Sequence, residues 1–416
     1  MRKLGKYSFG IGDRFAHQGE YQLKGFLKAA EAGFEVTPVW NKSFREHKTV
    51  NSKTLSVREE ADRAVEKLKW KGNYLVDADH ITLETVDEFI SYSDFFTIDV
   101  ANKINLKLDE KEKKSFIQKF SNFKGHLTIA GIQDTFEITD KVLLSMGDKF
   151  YMAAKEASAI YQKISASKNG SPFFVEVSMD EVESPQTPIE LYFILAFLAY
   201  QNIPVNTIAP KFTGRFNKGV DYEGDISAFE SEFEQDILVI KQAVKEFDLP
   251  EGLKLSVHTG SDKFSLYPII HSLIKKYDAG LHLKTAGTTW LEELIGLAES
   301  GGAGLEMAKS IYIEALKRYD ELTTPYATVI NVDPDCLPSI EEVTKWDGDT
   351  YATSLRHDQQ HPNYNPDFRQ LLHTAYKLAA EKGDRFFAEL VKNREIIGKN
   401  VVENIFERHL KPLFSA

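Results

Sequence analysis

The sequence has little cysteine and no long apolar run, and both shortages narrow what the protein can be. Cys336 is the single cysteine among 416 residues, so an intramolecular disulfide and a zinc site built from several thiolates are excluded. Such cysteine usage is typical of a reducing compartment, and we expect the protein in the cytoplasm. No apolar run reaches 18 residues, and the segment MRKLGKYSFGIGDRF lacks the apolar centre of a signal peptide. We therefore expect no membrane partner.

Positive charge is also scarce. The 62 acidic residues outnumber the 51 lysines and arginines, and the formal net charge of −11 would repel a polyphosphate backbone. No basic stripe with interleaved aromatic residues is evident, so we expect no nucleic-acid partner. A glycine-rich dinucleotide fingerprint is missing too. The hydrophobic fraction of 42% is that of an ordinary globular protein with a sizeable core, which leaves small-molecule chemistry as the expectation.

Apolar runs of strand character alternate with amphipathic stretches, a pattern typical of parallel βα units. The eight predicted strands are Tyr7–Gly12, Glu35–Trp40, Tyr74–Asp79, Phe95–Val100, Phe173–Ser178, Val205–Pro210, Leu253–His258 and Gly280–Lys284. They predict an α/β protein with a closed TIM (β/α)8 barrel over residues 1–300. The long interval after the fourth strand predicts an insertion at about 103–170. The remainder, 301–416, predicts a helical C-terminal extension or cap.

Three predicted strands end in histidine: NYLVDADHI at His80, KLSVHTGSD at His258 and AGLHLKTAG at His282. The carboxyl ends of barrel strands meet at one face, so these imidazoles could bind one divalent metal cation. A lone histidine at a strand end is more often a satisfied polar residue, but three of them with Asp79 adjacent favour a metal. Zinc suits three imidazoles and an open position, and manganese, cobalt and nickel are alternatives.

Other strand ends at the same face also carry polar side chains. They are Asp13, Arg14, Asp77, Asp79, Asp99, Glu176, Asp180, Lys211, Asp262 and Lys284. Several carboxylates around one cavity need a cation nearby, which favours a functional role for some of them, although strand-end aspartates often cap helices. The alternative for Asp79 is a carboxylate that only orients a metal-bound histidine. The alternative for Glu176 is a buried glutamate paired with Lys211 or Lys284.

Two polar loops follow the last predicted strand. Thr285, Gly287 and Thr288 precede a predicted helix, where free backbone N–H groups could hold an anion or simply begin the helix. The later segment RHDQQHPNYNP contains Arg356 and His357 and is either a cap over the active face or a solvated loop. We expect it to fold over the mouth of the barrel.

These motifs resemble two groups of enzymes. Asp79-His80, the glutamate in FVEVSMDEV and the His258–Asp262 run are similar to class II metal-dependent fructose- and tagatose-bisphosphate aldolases. The sequence departs from them near Pro210-Lys211, where those enzymes place a third zinc histidine, and its phosphate sites are unconvincing. Over nearly its full length, including LHLKTAGTTWLEEL and LRHDQQHPNYNPDFRQLLHTAYKLA, the chain more closely resembles the tagaturonate/fructuronate epimerase family, the UxaE-like hexuronate C4-epimerases.

The epimerase resemblance implies a metal-dependent isomerase that inverts C4 of a ketohexuronate, or of the related ketohexoses tagatose and fructose. The C4 hydrogen is not acidic, so retro-aldol cleavage and readdition is the expected route. His80, His258 and His282 would hold the metal, Asp79 would take the hydroxyl proton, and Glu176 would be a second acid/base. The expected substrate-binding residues are Arg14, Asp99, Lys211, Asp262, Lys284, Thr285, Gly287, Thr288, Arg356 and His357. A class II-type aldolase and a sugar-acid binding protein with a structural metal are the alternatives, and the oligomeric state is left open.

Overall fold

A closed barrel of parallel strands forms the centre of the molecule. The structure is a computed structural model that describes residues 3–285 and 288–415. Its strands are β1 (Tyr7–Ile11), β2 (Thr37–Ser43), β3 (Leu75–Ile81), β4 (Phe95–Asp99), β5 (Gly125–Thr128), β6 (Thr135–Ile138), β7 (Phe174–Ser178), β8 (Thr207–Ala209), β9 (Lys254–His258) and β10 (Leu281–Thr285). Eight of them pair in parallel in the closed order β1-β10-β9-β8-β7-β4-β3-β2, and β5 and β6 form a separate antiparallel hairpin. The predicted TIM barrel is confirmed.

Helices surround the barrel and form the whole C-terminal region. They are α1 (Gly19–Glu31), α2 (Phe44–Thr49), α3 (Leu55–Leu68), α4 (Glu110–Lys119), α5 (Asp140–Met146), α6 (Met152–Lys168), α7 (Pro188–Tyr200), α8 (Ile226–Glu246), α9 (Tyr267–Lys276), α10 (Thr288–Glu299), α11 (Gly302–Lys317), α12 (Tyr319–Thr323), α13 (Ile340–Lys345), α14 (Gly348–Leu355), α15 (Pro366–Thr374), α16 (Tyr376–Lys382), α17 (Asp384–Lys392), α18 (Arg394–Glu403) and α19 (Lys411–Phe414). Among the residues described, none of these helices combines the length and apolarity needed to cross a bilayer.

Two segments stand outside the repeating βα units, as the sequence predicts. Between β4 and β7 the chain forms α4, the β5–β6 hairpin, α5 and α6, and after α10 it is helical to α19. The C-terminal helices pack tightly on the barrel's outer helices. A Cβ atom on Gly296 of α10 would come within 2.6 Å of Ile397 Cα in α18, so this approach of two helix backbones requires glycine.

The side chains inside the barrel change from apolar to charged along the strands. Near the amino ends, Leu4, Val39, Leu75 and Phe95 form a small apolar plug. Inward positions are two residues apart in a strand, so each later inward residue lies one layer nearer the carboxyl face. The later inward residues are polar or charged, namely Ser8, Asp77, Asp79, Thr97, Glu176, Ser256, His258, His282 and Lys284. The charge inside the barrel is therefore concentrated toward the face that carries active sites in this fold.

Candidate active site

A buried lysine lies at the centre of the carboxyl face. Lys284 Nζ lies 2.7 Å from Asp77 Oδ2, 2.7 Å from Asp79 Oδ1 and 3.3 Å from Glu176 Oε1, and it donates a hydrogen bond to Thr97 Oγ1. Burial disfavours the ammonium charge, but the three carboxylates outweigh it and raise the pKa of Lys284 well above its ordinary value. Lys284 was predicted to bind substrate, and in the structure it is the cation that neutralises three carboxylates.

The pKa values of the two aspartates on β3 are shifted in opposite directions. Burial is the main reason that the pKa of Asp77 rises to about 6, even though Lys284 acts against it. Burial also opposes ionisation of Asp79, but the charges of Lys284 and then His80 prevail and lower the pKa of Asp79 to about 2. At neutral pH Asp79 is therefore a carboxylate, the form that can accept a proton.

His80, His258 and Asp180 meet above this layer, and we refer to these three residues as the mouth cluster. Each of them offers one ligand atom, and the three atoms lie within 4.8 Å of one another. The two imidazole rings are 5.1 Å apart between centroids, at an angle of 74°. His258 Nδ1 lies 3.1 Å from Asp180 Oδ2. Two imidazoles and a carboxylate are a ligand set that zinc and similar divalent ions accept.

Glu176 determines which nitrogen of His258 faces the mouth cluster. His258 Nε2 lies 2.7 Å from Glu176 Oε1, and because a carboxylate only accepts, Nε2 carries the hydrogen. The other nitrogen, Nδ1, faces the mouth cluster and can bind an ion once it has lost its proton. The nearest carboxylate oxygens to His258 Nδ1 and His80 Nδ1 are Asp180 Oδ2 at 3.1 Å and Asp99 Oδ2 at 3.4 Å. Two imidazole nitrogens that face carboxylate oxygens, one of them on a ring oriented by Glu176, fit a metal centre.

A bulge in β3 brings His80 to the same side as Asp79. Adjacent residues of a regular strand point to opposite faces, so His80 would otherwise point away from the barrel interior. The register of β3 against β4 shifts between Ala78 and Ile81, and His80 has a φ of 51°. Positive φ is uncommon for a residue other than glycine, and such conformations cluster at functional sites. The bulge thus allows two consecutive side chains to serve one site.

The acidic surroundings favour positive charge at the mouth cluster. Burial acts against protonation of His80, but the charge of Asp79 and the contact with Asp99 raise its pKa to about 10. His258 behaves in the same way, since Asp180 and then Glu176 overcome burial and raise its pKa to about 9. The cluster therefore attracts cations, and a divalent ion would compete with these protons.

His282 does not join the mouth cluster, contrary to the prediction that it is the third ligand. Lys284 occupies the level of His258 in the register of β10 against β9, and His282 lies two residues deeper. His282 Nδ1 lies 2.9 Å from Ser8 Oγ. Burial is the main reason that the pKa of His282 falls to about 3. The third position of the cluster is taken by Asp180.

The sequence contains the information that places Asp180, although no ligand role was predicted for it. Glu176, Ser178 and Asp180 are successive alternate residues at the end of β7, so they point toward the same side. Ser178 Oγ donates a hydrogen bond to Asp180 Oδ1 over 2.5 Å. Extending the alternation of inward-facing residues two positions beyond the end of β7 identifies Asp180.

Glu176, predicted as the second acid/base, has its acceptor positions occupied. Besides His258 and Lys284, it accepts hydrogen bonds from Thr207 Oγ1 at 2.6 Å and from Thr97 Oγ1 at 3.3 Å. It has no exposed surface, and Lys284 and His258 overcome the effect of burial to hold its pKa well below its ordinary value. This arrangement agrees with the alternative interpretation of a buried glutamate paired with Lys284.

The predicted substrate residue Asp262 is the centre of a closed hydrogen-bonded group, which we call the Asp262 network. Arg369 Nη2 donates to Asp262 Oδ2 over 2.7 Å, and His357 Nδ1 lies 3.1 Å from the same oxygen. Thr288 Oγ1 and His409 Nε2 each lie 3.2 Å from Asp262 Oδ1. Asp262, Thr288 and His357 are buried in this group, so the structure gives them the role of joining the C-terminal helices to the barrel.

Arg356 lies on the outside of the helical layer. It pairs with Glu299 Oε1 at 2.5 Å and with Asn400 Oδ1 at 3.0 Å. Glu299 ends α10, which begins at the carboxyl face and runs back along the barrel. The segment around Arg356 and His357 was expected to fold over the mouth, and in the structure Arg356 contacts α10 and α18 while His357 contacts Asp262. Polar composition did not reveal that their partners are other helices.

The remaining predicted substrate residues occupy the carboxyl face in different ways. Asp99 Oδ2 lies 3.4 Å from His80 Nδ1, beside the mouth cluster. The amide of Lys211 donates to Gln186, and Thr285 Oγ1 lies 3.5 Å from the carbonyl oxygen of Gly10. Gly287 lies outside the described residues.

Arg14 faces residues that the sequence did not connect with the site. It forms an ion pair with Glu46, and its guanidinium carbon lies 4.9 Å from the ring centroid of Tyr376. The hydroxyl of Tyr376 lies 2.8 Å from that of Tyr326. These tyrosines belong to the C-terminal region, and no local motif links them to a barrel loop.

A barrel with carboxylates, a buried lysine and a His-Asp-His group that could hold a metal ion at its carboxyl face belongs to the class of (β/α)8-barrel enzymes. Residues 1–413 match the family described as tagaturonate epimerase, UxaE, and the chain belongs to that family. This confirms the family predicted from the sequence.

Individual relatives agree with the family assignment. A tagaturonate/fructuronate epimerase from Thermotoga maritima is 28% identical over 428 residues, which cover 97% of this chain and 80% of that protein. The native crystal structure of the fructuronate-tagaturonate epimerase UxaE from Cohnella laeviribosi superposes with a TM-score of 0.81 at 23% identity, covering 99% of this chain and 82% of that one. A glycerol complex of the same enzyme gives 0.79 at 24% identity over 98% and 81%. The structural likeness supports the fold.

Proposed function

We propose that this chain is a divalent-metal-dependent epimerase that interconverts D-tagaturonate and D-fructuronate by inverting C4. The observation that carries the proposal is the ionised carboxylate of Asp79 directly beside the mouth cluster of His80, His258 and Asp180. Membership of the tagaturonate epimerase family supports the choice of substrate. The cytoplasm suits a chain whose single cysteine, Cys336, is free and exposed.

The mouth cluster would hold the metal ion. His258 would bind through Nδ1, because Glu176 occupies Nε2, and His80 and Asp180 would complete the protein ligands. When bound, the ion would supply Lewis-acid stabilisation for negative charge that develops on the substrate oxygens. Zinc is our first choice for this ligand set, with manganese, cobalt and nickel as alternatives.

The position of the C4 hydrogen favours cleavage of a carbon–carbon bond. In a 2-ketohexuronate this hydrogen is two carbons from the carbonyl group, so its removal gives no stabilised anion. Asp79 can instead accept the proton of the C4 hydroxyl, and the C3–C4 bond then breaks into an enediolate of C1–C3 and an aldehyde of C4–C6. After the aldehyde turns over, C3 attacks its other face and Asp79 returns the proton to O4. No hydrogen leaves C4 in this cycle.

The residues below Asp79 keep it in position and in the correct charge state. Lys284 contacts Asp79 and Asp77 at 2.7 Å each, which fixes the Asp79 carboxylate and favours its ionised form. Glu176 contacts both Lys284 and His258, so we assign it a positioning role. Asp99 lies 3.4 Å from His80 and is partly exposed, which makes it a candidate contact for a substrate hydroxyl.

Epimerisation in deuterated water tests this proposal. The purified protein should convert tagaturonate to fructuronate when a divalent metal is present, with no deuterium at C4 by NMR. Metal-stripped protein is the control, and adding the ion back should restore turnover. Deuterium at C4 would contradict the retro-aldol route. Accumulation of free three-carbon products would indicate an aldolase, and unchanged substrate with measurable binding would indicate a sugar-acid binding protein.

A further inference from the structure

Three cationic side chains and two tyrosines lie together at one side of the barrel mouth. We refer to Arg14, Arg45, Lys218, Tyr326 and Tyr376 as the basic cluster. Arg14 follows β1, Arg45 lies in α2 after β2, and Lys218 lies between β8 and α8. The tyrosines come from the helical C-terminal region. Five residues from distant parts of the chain thus form one group of contacts.

The tyrosine rings hold the three cations close together. Lys218 Nζ lies 6.0 Å from the ring centroid of Tyr326, and the guanidinium carbon of Arg45 lies 5.3 Å from the same centroid. Arg14 lies over Tyr376, whose hydroxyl contacts that of Tyr326. Exposure increases across the group from Arg14, which is buried, through Lys218 to Arg45, which is exposed. The cluster is therefore open to solvent along one side.

The basic cluster has more positive than negative charge. Glu46 forms an ion pair with Arg14. Within the described part of the chain, neither Lys218 nor Arg45 forms an ion pair with a carboxylate, although the charges of Glu46 and the exposed Glu181 act on Lys218. Burial, and then the charges of Arg14 and Arg45, lower the pKa of Lys218 below its ordinary value. A bound anion would relieve this repulsion.

The positive charge of the basic cluster also affects the pKa of a neighbouring histidine, His373. His373 is buried, and its Nε2 has no hydrogen-bond partner among the described residues. Burial is the first reason that the pKa of His373 lies well below its ordinary value, and the charges of Lys218 and Arg14 are the next. His373 is thus kept neutral beside the cluster.

The basic cluster adjoins the residues that would carry the chemistry. Gly260 follows the mouth-cluster residue His258 by two positions, and a Cβ atom on Gly260 would lie 3.9 Å from Lys218 Cγ. On the other side of the cluster, Arg14 is close enough to Asp79 for that carboxylate to act on its charge. An anionic group one or two carbons from the reacting atoms could therefore reach the cluster.

We propose that Lys218 and Arg45, with Arg14 and the two tyrosines, form the subsite that binds the substrate carboxylate and so select hexuronates over neutral ketohexoses. The proposal rests on the proposed function. In the cleavage described above, the C4–C6 aldehyde carries the carboxylate at C6. If C6 is held, the aldehyde can turn about the C4–C5 bond and present its other face without leaving the site.

The test compares Lys218→Met and Arg45→Met with Lys317→Met, a matched change of an exposed lysine at the end of α11. Calorimetric titration with D-galactonate, a six-carbon acid without a ketone, measures carboxylate binding without turnover. Losing a charge-assisted hydrogen bond should weaken binding about 10- to 100-fold in Lys218→Met, with a smaller loss in Arg45→Met and none in Lys317→Met. In turnover assays, the KM for tagaturonate should rise to a similar extent, with kcat/KM for neutral tagatose little changed.

The outcomes separate this subsite from the proposed function. If galactonate binds wild type and Lys218→Met equally, or binds wild type not at all, the subsite proposal is overturned even when tagaturonate is epimerised. If galactonate binding depends on Lys218 and Arg45 but tagaturonate is not epimerised, the subsite stands and the proposed function fails. If inorganic phosphate binds more tightly than galactonate, in a manner that depends on Lys218, the subsite serves a phosphorylated ketose and the carboxylate assignment is wrong.

Discussion

Two groups in this molecule gather histidines around an aspartate, and they have opposite properties. The residues of the mouth cluster are partly exposed, and their possible ligand atoms lie within 4.8 Å of one another. The Asp262 network is buried, both carboxylate oxygens of Asp262 lie within 3.2 Å of nitrogen or hydroxyl groups, and Arg369 balances the charge of that carboxylate. The first group lies at the open end of the barrel, and the second is enclosed by the C-terminal helices.

The comparison shows that residue types alone do not identify a reactive site. Histidine and aspartate occur in both groups, and each group includes a residue at or just after the carboxyl end of a barrel strand. What differs is the exposure of the group and the compensation of its aspartate, because a fully buried aspartate whose charge is balanced by an arginine has no capacity left for a ligand. Substitutions in the mouth cluster and its neighbours should therefore affect chemistry, and those in the Asp262 network should affect folding.

The largest effect should come from Asp79→Asn. The amide keeps the shape of the carboxylate but cannot accept the hydroxyl proton, so kcat should fall by about 10²- to 10⁴-fold. Metal content, measured by mass spectrometry, and the thermal midpoint should stay close to wild type. Near-normal turnover would show that Asp79 only orients His80.

Arg369→Met should be the most destabilising change in the Asp262 network. Removing one partner of a buried ion pair leaves an uncompensated charge and costs about 3–5 kcal/mol in the free energy of unfolding. Arg356→Met is the matched control, because Arg356 pairs with Glu299 at the surface and should cost at most about 1 kcal/mol. Chemical denaturation measures both. If the two variants lose equal free energy of unfolding, the Asp262 network contributes no more to stability than the surface ion pair of Arg356.

Metal affinity should separate Asp180 from His282. Asp180→Ala removes a ligand of the mouth cluster, so its affinity for zinc should fall by at least the roughly 10- to 100-fold that is typical when a residue supporting a ligand is lost. His282→Ala should bind zinc nearly as well as wild type, because His282 lies a layer deeper beside Ser8. Competition with a chromogenic chelator gives both constants. A reversed order would restore His282 as the third ligand.

The smallest expected effect is a pH dependence that belongs to Asp262. Burial opposes its ionisation, but Arg369, His357 and His409 hold the pKa of Asp262 well below its ordinary value. A lowered pKa in the folded state gives stability that is present above the unfolded-state pKa of about 3.9 and is lost as the pH falls below it. The difference in unfolding free energy between wild type and Asp262→Asn should therefore be steady from about pH 8 to pH 5 and shrink toward pH 3. A constant difference down to pH 3 would contradict the assignment.

The fold was predictable because it depends on local patterns. Alternating apolar strands and amphipathic stretches predicted the barrel, and the carboxyl ends of its strands agree with the prediction to within one residue except at β2 and β3, where the strands continue beyond the apolar run. In β2 the extra residues are Asn41, Lys42 and Ser43, of which the first two are buried. In β3 the extra residues include the bulge at His80. An apolar pattern therefore predicts that a strand ends too early when the last residues of the strand are polar.

The candidate site was predictable only where one strand end carries the residues. Asp79, His80 and His258 follow from single strand ends, and the structure brings them together. His282, predicted as the third ligand, lies one layer deeper than His258 in the structure, and counting strand ends does not show how deep a side chain lies. The basic cluster could not be predicted from the sequence, since Lys218, Tyr326 and Tyr376 become neighbours only when the C-terminal helices pack on the barrel.

The Asp262 network also bears on how the protein folds as it leaves the ribosome. All eight barrel strands have been synthesised once Thr285 is added, but Asp262 still lacks Arg369 and His409, which are made much later. Until then, its carboxylate cannot be buried without the charge that compensates it. We expect the nascent barrel to remain loosely packed around β9 until residue 409 has emerged. A functional enzyme would then form only after the C-terminal helices are synthesised, and not when the last barrel strand is complete.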